Sequence, residues 1–164
     1  MSEPPQPIAT PPAGSRGPEI VLQNPNRYPE AGARRLGPWV RALVADLAPQ
    51  ADSFAARFVG DRAMRRANRD WRDRDRTTDV LSFPGGHTPD GHHLGDLLVS
   101  VPAARRQAAA ADWPVVRELR RLILHGVLHC LGYDHETDGG AMERLERRLQ
   151  RRWLDAMTGE EEAE

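Results

Sequence analysis

Between Glu19 and Met157 the spacing of apolar residues switches repeatedly between two and about 3.6, which restricts the chain to layers of strands and helices. Period two marks a strand with one face buried, and period 3.6 marks a helix with one apolar stripe. Strands are expected at Glu19–Gln23 and at Ser53–Val59, where Phe54, Ala56 and Phe58 alternate. Two more are expected at Thr78–Phe83, stopped by Pro84-Gly85-Gly86, and at Gly95–Val101, with Leu97, Val99 and Val101 on one side. His87 to His93 reads as a polar loop. Helices are expected at Ala31–Ala48, at Asp61–Arg69 with Asp61 as N-cap, and at Pro102–Ala111 with proline near the first position. Two further helices follow, Trp113–Leu131, ended by Gly132, and Asp138–Met157. The expected fold is α+β, a small four-stranded sheet packed with about five helices, with too few strands for a doubly wound sheet.

The ends differ in composition. Residues 1–18 hold six prolines and almost nothing apolar, so they read as a disordered N-terminal extension. Residues 158–164 read as an acidic tail, leaving residues 19–157 as one folded domain. The formal net charge of −1 gives no global field toward nucleic acid or membrane, so affinity for either must come from a local patch. The single cysteine, Cys130, excludes an intrachain disulfide. No run approaches the ~20 apolar residues of a membrane span, and no secretory signal is visible. A cytoplasmic setting without membrane association is the expectation. All 23 basic residues are arginine, which excludes Schiff-base lysine chemistry and a P-loop lysine.

The most informative stretch runs from His125 to Tyr133-Asp134-His135. His125 and His129 stand four apart at the end of a helix, so their imidazoles share one face about 6 Å apart. Gly132 permits a left-handed turn that can swing His135 back toward them. Three neutral imidazoles suit zinc, one ion per chain at a helix end. Three protein ligands leave a fourth position for water, the layout of a catalytic site, and water at such a site approaches a pKa of ~7. His87, His92 and His93 lie apart, as a second metal site or a solvated loop. The spacing matches the metzincin pattern His-Glu-x-x-His-x-x-Gly-x-x-His, except that Gly126 replaces the glutamate base. Glycine takes no proton, so a peptidase of that type lacks its base.

The stretch His125-Gly126-Val127-Leu128-His129-Cys130-Leu131-Gly132-Tyr133-Asp134-His135 resembles the signature of the YbeY-type endoribonucleases, bacterial rRNA maturation factors. Upstream, Asn68 to Pro84 resembles that family's Asn…Arg…Asp…Pro-Thr-Asp-Val-Leu-Ser-Phe-Pro block, with Thr77 where proline is usual. Leu94-Gly95-Asp96 and Glu118-Leu119 also fit, and Cys130 stands where leucine is usual. The resemblance runs in order from about Ile20 to Leu154. It implies a zinc-dependent, single-strand-specific endoribonuclease acting in rRNA processing and ribosome maturation. The expected partners are single-stranded RNA and the ribosome or small-subunit proteins. By resemblance His125, His129 and His135 are the metal ligands and Arg72 is the functional arginine.

The residues near Arg72 fit a polyanion. Arg57, Arg62, Arg65, Arg66, Arg69, Arg72, Arg74 and Arg76 stand among Asp61, Asp70, Asp73 and Asp75, a local excess of four positive charges. Arg72 and Arg69 are the substrate-binding candidates, since guanidinium forks match phosphate oxygens; most of the other arginines read as a solvated, salt-bridged face. Trp71 either stacks on a base or packs against the sheet. Asp96, Glu118 and Asp134 are candidates for general base or for orienting a ligand; Glu118 can equally pair with an arginine, and Asp134 can be a turn residue. Two rival readings stand beside the nuclease: a metal-dependent peptidase, and a non-catalytic ribosome assembly factor with a structural zinc.

Overall fold

In the computed structural model, residues 17–24, 27–134 and 139–155 are described, apart from the side chain of residue 33. The proline-rich segment up to residue 16, His135 and the acidic tail lie outside them. Strands β1 (Glu19–Gln23), β2 (Ser53–Val59), β3 (Val80–Thr88) and β4 (Gly91–Ser100) form one sheet in the order β1-β2-β4-β3. The β1–β2 and β2–β4 pairs are parallel, and β3–β4 is an antiparallel hairpin. Five α-helices accompany it: α1 (Ala33–Leu47), α2 (Asp61–Arg72), α3 (Val101–Ala111), α4 (Val115–Cys130) and α5 (Ala141–Gln150). The expected α+β architecture is therefore found.

Several boundaries differ from expectation. Thr78–Phe83 is not stopped at Pro84, and His87–His93 is not a loop; β3 and β4 continue as paired strands to the turn at Pro89-Asp90. Pro84 is tolerated because β3 is an edge strand, where a missing N–H costs least. Gly85 is needed there for space, since a Cβ would come within 2.2 Å of the His93 carbonyl oxygen. The helix expected to end at Arg69 runs one turn further, to Arg72. The last expected helix is α5 followed by a π-helical turn, Arg151–Asp155.

The sheet has two unequal sides. One carries the main core, in which Phe54, Phe58, Leu97 and Val99 meet Leu36, Leu43, Leu119, Leu122, Ile123 and Leu128 of α1 and α4. The other is covered only at one end, where Met64 and Ala67 of α2 pack on Val59, Leu81, Phe83 and Leu98. Helix α4 lies against the sheet at Gly126, where a Cβ would meet Leu97 Cδ2 at 2.6 Å. The absence of a side chain there brings the histidine-bearing turn of α4 close to β4. Helix α3 starts at the N-cap Ser100, whose hydroxyl accepts from the Ala103 amide at 3.1 Å.

Candidate active site

The last turn of α4 carries both histidines and ends in a defined cap. Gly132 adopts φ +99°; its N–H donates to His129 O at 3.0 Å, and the Tyr133 N–H donates to Leu128 O at 3.1 Å. These are the two hydrogen bonds of a Schellman motif, with glycine at the left-handed position, as the spacing predicts. His125 and His129 face each other across the turn, ring centroids 4.7 Å apart and Nε2 atoms 3.1 Å apart. On its other side His125 Nδ1 lies 3.0 and 3.1 Å from the two carboxylate oxygens of Glu146 on α5. Glu146 accepts the Nδ1–H, which fixes the tautomer and aims the lone pair of His125 Nε2 at His129.

That geometry fits a metal ion. Two nitrogens bound to one tetrahedral ion at 2.0–2.1 Å sit about 3.3 Å apart, close to the spacing seen here. Without a cation or a proton between them, two lone pairs at this distance repel. The helix C-terminus also favours positive charge. Among the described residues no group of three potential ligands surrounds the point, and His135, the third expected ligand, lies outside them.

The histidines open onto a cavity of about 610 Å³ whose wall includes Arg72, Asp79, Ser82 and Asp134. Strand β3 forms one side, presenting Val80, Ser82 and Pro84 to the cavity while Phe83 lines the opposite side of the sheet. Arg72 reaches the cavity because α2 extends to it; its guanidinium donates to Ser82 O at 2.5 Å and lies 5.3 Å from the centre of the Phe83 ring. The chain then reverses through Asp73 at φ +55°, and the buried Asn68 side chain donates to Arg76 O at 2.8 Å, holding the turn.

The other expected residues are placed as follows. Asp134 shares the cavity with His125 and His129. Asp96 points to the far side of the sheet, mostly exposed, with Oδ2 3.1 Å from His93 Nε2. Glu118 is fully buried; it accepts from Trp113 Nε1 at 3.0 Å and from Arg121 Nε at 2.9 Å. Gln107 continues this network, donating to Asp79 at 3.1 Å, so Glu118 joins α3, α4 and the start of β3. Arg69 lies on an exposed ridge with Arg62, Arg65 and Arg66, outside the cavity wall. Arg65 on that ridge is paired with Asp75 at 2.9 Å. Burial, with Asp96 nearby, pushes the Cys130 thiol up to about 12, far from a nucleophile's range. His93 also meets Ser53 Oγ at 2.7 Å, and His87 and His92 stack edge-on across the hairpin. Gly126 faces Leu97 rather than the cavity, so a glutamate there would enter the core.

Glu146 is the residue at this site that sequence reasoning missed. It stands in the charged run Glu143-Arg144-Leu145-Glu146-Arg147. The one available signal was its place four residues after the apolar-stripe residue Met142, on a face directed at another helix.

The chain is similar over most of its length to known proteins. Residues 31–155 match the family described as Endoribonuclease YbeY. A protein of that name from Solibacter usitatus is 48% identical over 119 residues, covering 73% of this chain and 73% of the relative. Its namesake from Myxococcus xanthus is 42% identical over 123 residues, 71% of this chain; the match spans 42% of that relative's length. The solution structure of TM1509 from Thermotoga maritima shares the fold, with a TM-score of 0.59 at 21% identity, over 88% of this chain and 91% of that one. The helix-borne histidine pair, the arginine facing it across one cavity and the matches over most of the domain lead to one conclusion: the chain belongs to the YbeY family of endoribonucleases.

Proposed function

We propose that the chain is a metal-dependent endoribonuclease that cleaves single-stranded RNA during rRNA processing and ribosome maturation, in the cytoplasm, through residues 19–157 as one catalytic domain. The observation that carries this reading is the pair of Nε2 atoms 3.1 Å apart, buttressed by Glu146, in one cavity with Arg72. His125, His129 and His135 would hold the metal, zinc in this reading because the donors are imidazoles. A metal so held supplies Lewis acidity and lowers the pKa of water. Arg72 neutralises the charge that develops on the phosphate, and its bond to Ser82 O and its place over Phe83 orient it before substrate arrives. Asp134 shares the cavity and takes a proton from the attacking water; Asp96 and Glu118 are engaged elsewhere. Arg69 adds a phosphate contact along α2. Ribosomal RNA and small-subunit proteins are the partners that this family membership suggests.

The test compares zinc-loaded and chelator-treated full-length protein on single-stranded RNA, duplex RNA and casein. Cleavage of single-stranded RNA alone, lost with chelator, is expected. Arg72→Ala should lower the cleavage rate at least 100-fold while metal content stays near one per chain. Proteolysis without RNA cleavage would overturn the reading in favour of a peptidase. Binding of RNA by a zinc-loaded chain that never cleaves it would favour an assembly factor.

A further inference from the structure

The half of the sheet that α2 leaves uncovered presents two cross-strand rows. Gln23, Arg57 and Leu98 lie side by side in one, and Val21, Ala55, Asp96 and Phe83 in the other. Trp71 overhangs this face from the last turn of α2. It is 70% exposed and meets Phe83 edge-on, ring centres 6.0 Å apart. Among the described residues Trp71 and Val21, both here, are the large apolar side chains left exposed. Burying Trp71 would remove more apolar area from water than almost any other side chain, so its exposure calls for an occupant. Beneath it lies a mainly apolar cavity of about 340 Å³, with Leu98 and Ala55 as floor and Arg57, Gln23 and Asp96 at the rim.

We propose that this cavity is a nucleobase-stacking subsite: one base of the RNA stacks on the exposed ring of Trp71, which Phe83 supports edge-on, and Arg57, Gln23 and Asp96 meet its polar edge. The inference rests on RNA being the substrate, as argued above. A base matches the chemistry of the cavity, with a π-face for the aromatic wall and donors and acceptors for a rim of guanidinium, amide and carboxylate. An apolar side chain of a protein partner would instead strip water from those rim groups and return nothing. Position agrees as well. Phe83 is shared, with Trp71 on one side and the Arg72 guanidinium 5.3 Å from its ring centre. A base held by Trp71 therefore leaves its phosphate beside Arg72, at the mouth of the histidine cavity. The ridge of Arg62, Arg66 and Arg69 continues positive charge along the same helix.

The experiment measures binding of a fluorescein-labelled single-stranded RNA, and of the same RNA with one abasic nucleotide moved along it, to full-length wild type, Trp71→Ala and Trp71→Phe. Wild type should lose affinity when the abasic position enters the subsite. Trp71→Ala should weaken binding of the intact RNA roughly 5- to 150-fold, raise KM by the same factor, and be indifferent to the abasic position. Trp71→Phe should recover most of the affinity. Equal affinity of wild type and Trp71→Ala would overturn the subsite and assign this face to something other than RNA. An equal loss on intact and abasic RNA would also overturn it, since Trp71 would then be structural. Binding is scored apart from cleavage, so an abasic-sensitive wild type that does not cut RNA would retain the subsite and reject the catalytic reading.

Discussion

Glu146 shows how one carboxylate on a distant helix governs an imidazole. It is only 13% exposed at the side chain, and both of its oxygens lie within 3.1 Å of His125 Nδ1. Removing it frees the His125 ring to rotate and to lose its aim at His129. Glu146→Ala should weaken metal affinity about 10- to 100-fold, with Glu146→Gln intermediate because an amide oxygen still accepts the Nδ1–H. Competition titration against a chromophoric chelator measures this directly, and unchanged affinity in Glu146→Ala would reject the role. The residues legible in the sequence were those whose geometry is local. His125 and His129 are one helical turn apart, and Gly132 follows at the spacing a Schellman cap requires. Glu146 is 21 residues from its partner, and only the packing of α5 on α4 joins them. Asp134, Asp96 and Glu118 looked alike as carboxylates; the strand and helix faces that separate them are tertiary facts.

At the scale of elements, the α4–β4 crossing rests on Gly126. Restoring the metzincin glutamate by Gly126→Glu should unfold the domain rather than create a peptidase, because the carboxylate would lie against Leu97 in the core. A loss of several kcal/mol in urea unfolding is expected. Gly126→Ala should cost about 1–3 kcal/mol from overpacking, offset by about 1 kcal/mol of helix propensity. A stable Gly126→Glu protein would contradict the crossing. The four strands and five helices could be read from periodicity because each buries one face. The β3–β4 hairpin is not legible in the same way, because Pro84, Gly85 and Gly86 are breakers in isolation. Pairing with β4 overrides them, the proline lying on an edge and Gly85 making room for the His93 carbonyl.

Across the whole molecule, an ion pair ties the start of the domain to α3. Arg105 donates to both oxygens of Glu30, at 2.6 and 2.9 Å, and lies over the Tyr28 ring. The Arg105 hydrogen bond holds the Glu30 carboxyl below its ordinary value of 4.5. A carboxyl lowered by folding contributes stability above its unfolded pKa and loses it as pH falls through the folded value. Glu30→Gln should therefore cost about 0.5–1 kcal/mol near neutral pH and nothing once Glu30 is protonated well below pH 4.5. Urea midpoints of wild type and variant should converge in acid; a constant gap would show that the pair is not the cause.

Strand β3 is the free edge of the sheet between the two sites: Ser82 and Pro84 line the histidine cavity on one face, and Phe83 reaches the proposed base pocket on the other. A polymer engaging both compartments must bend sharply around the free edge of the sheet. A single strand can make that hairpin bend, whereas a duplex keeps its direction over far longer distances. Preference for unpaired substrate would then follow from the placement of two sites on opposite faces of one sheet edge, with no side chain needed to inspect base pairing.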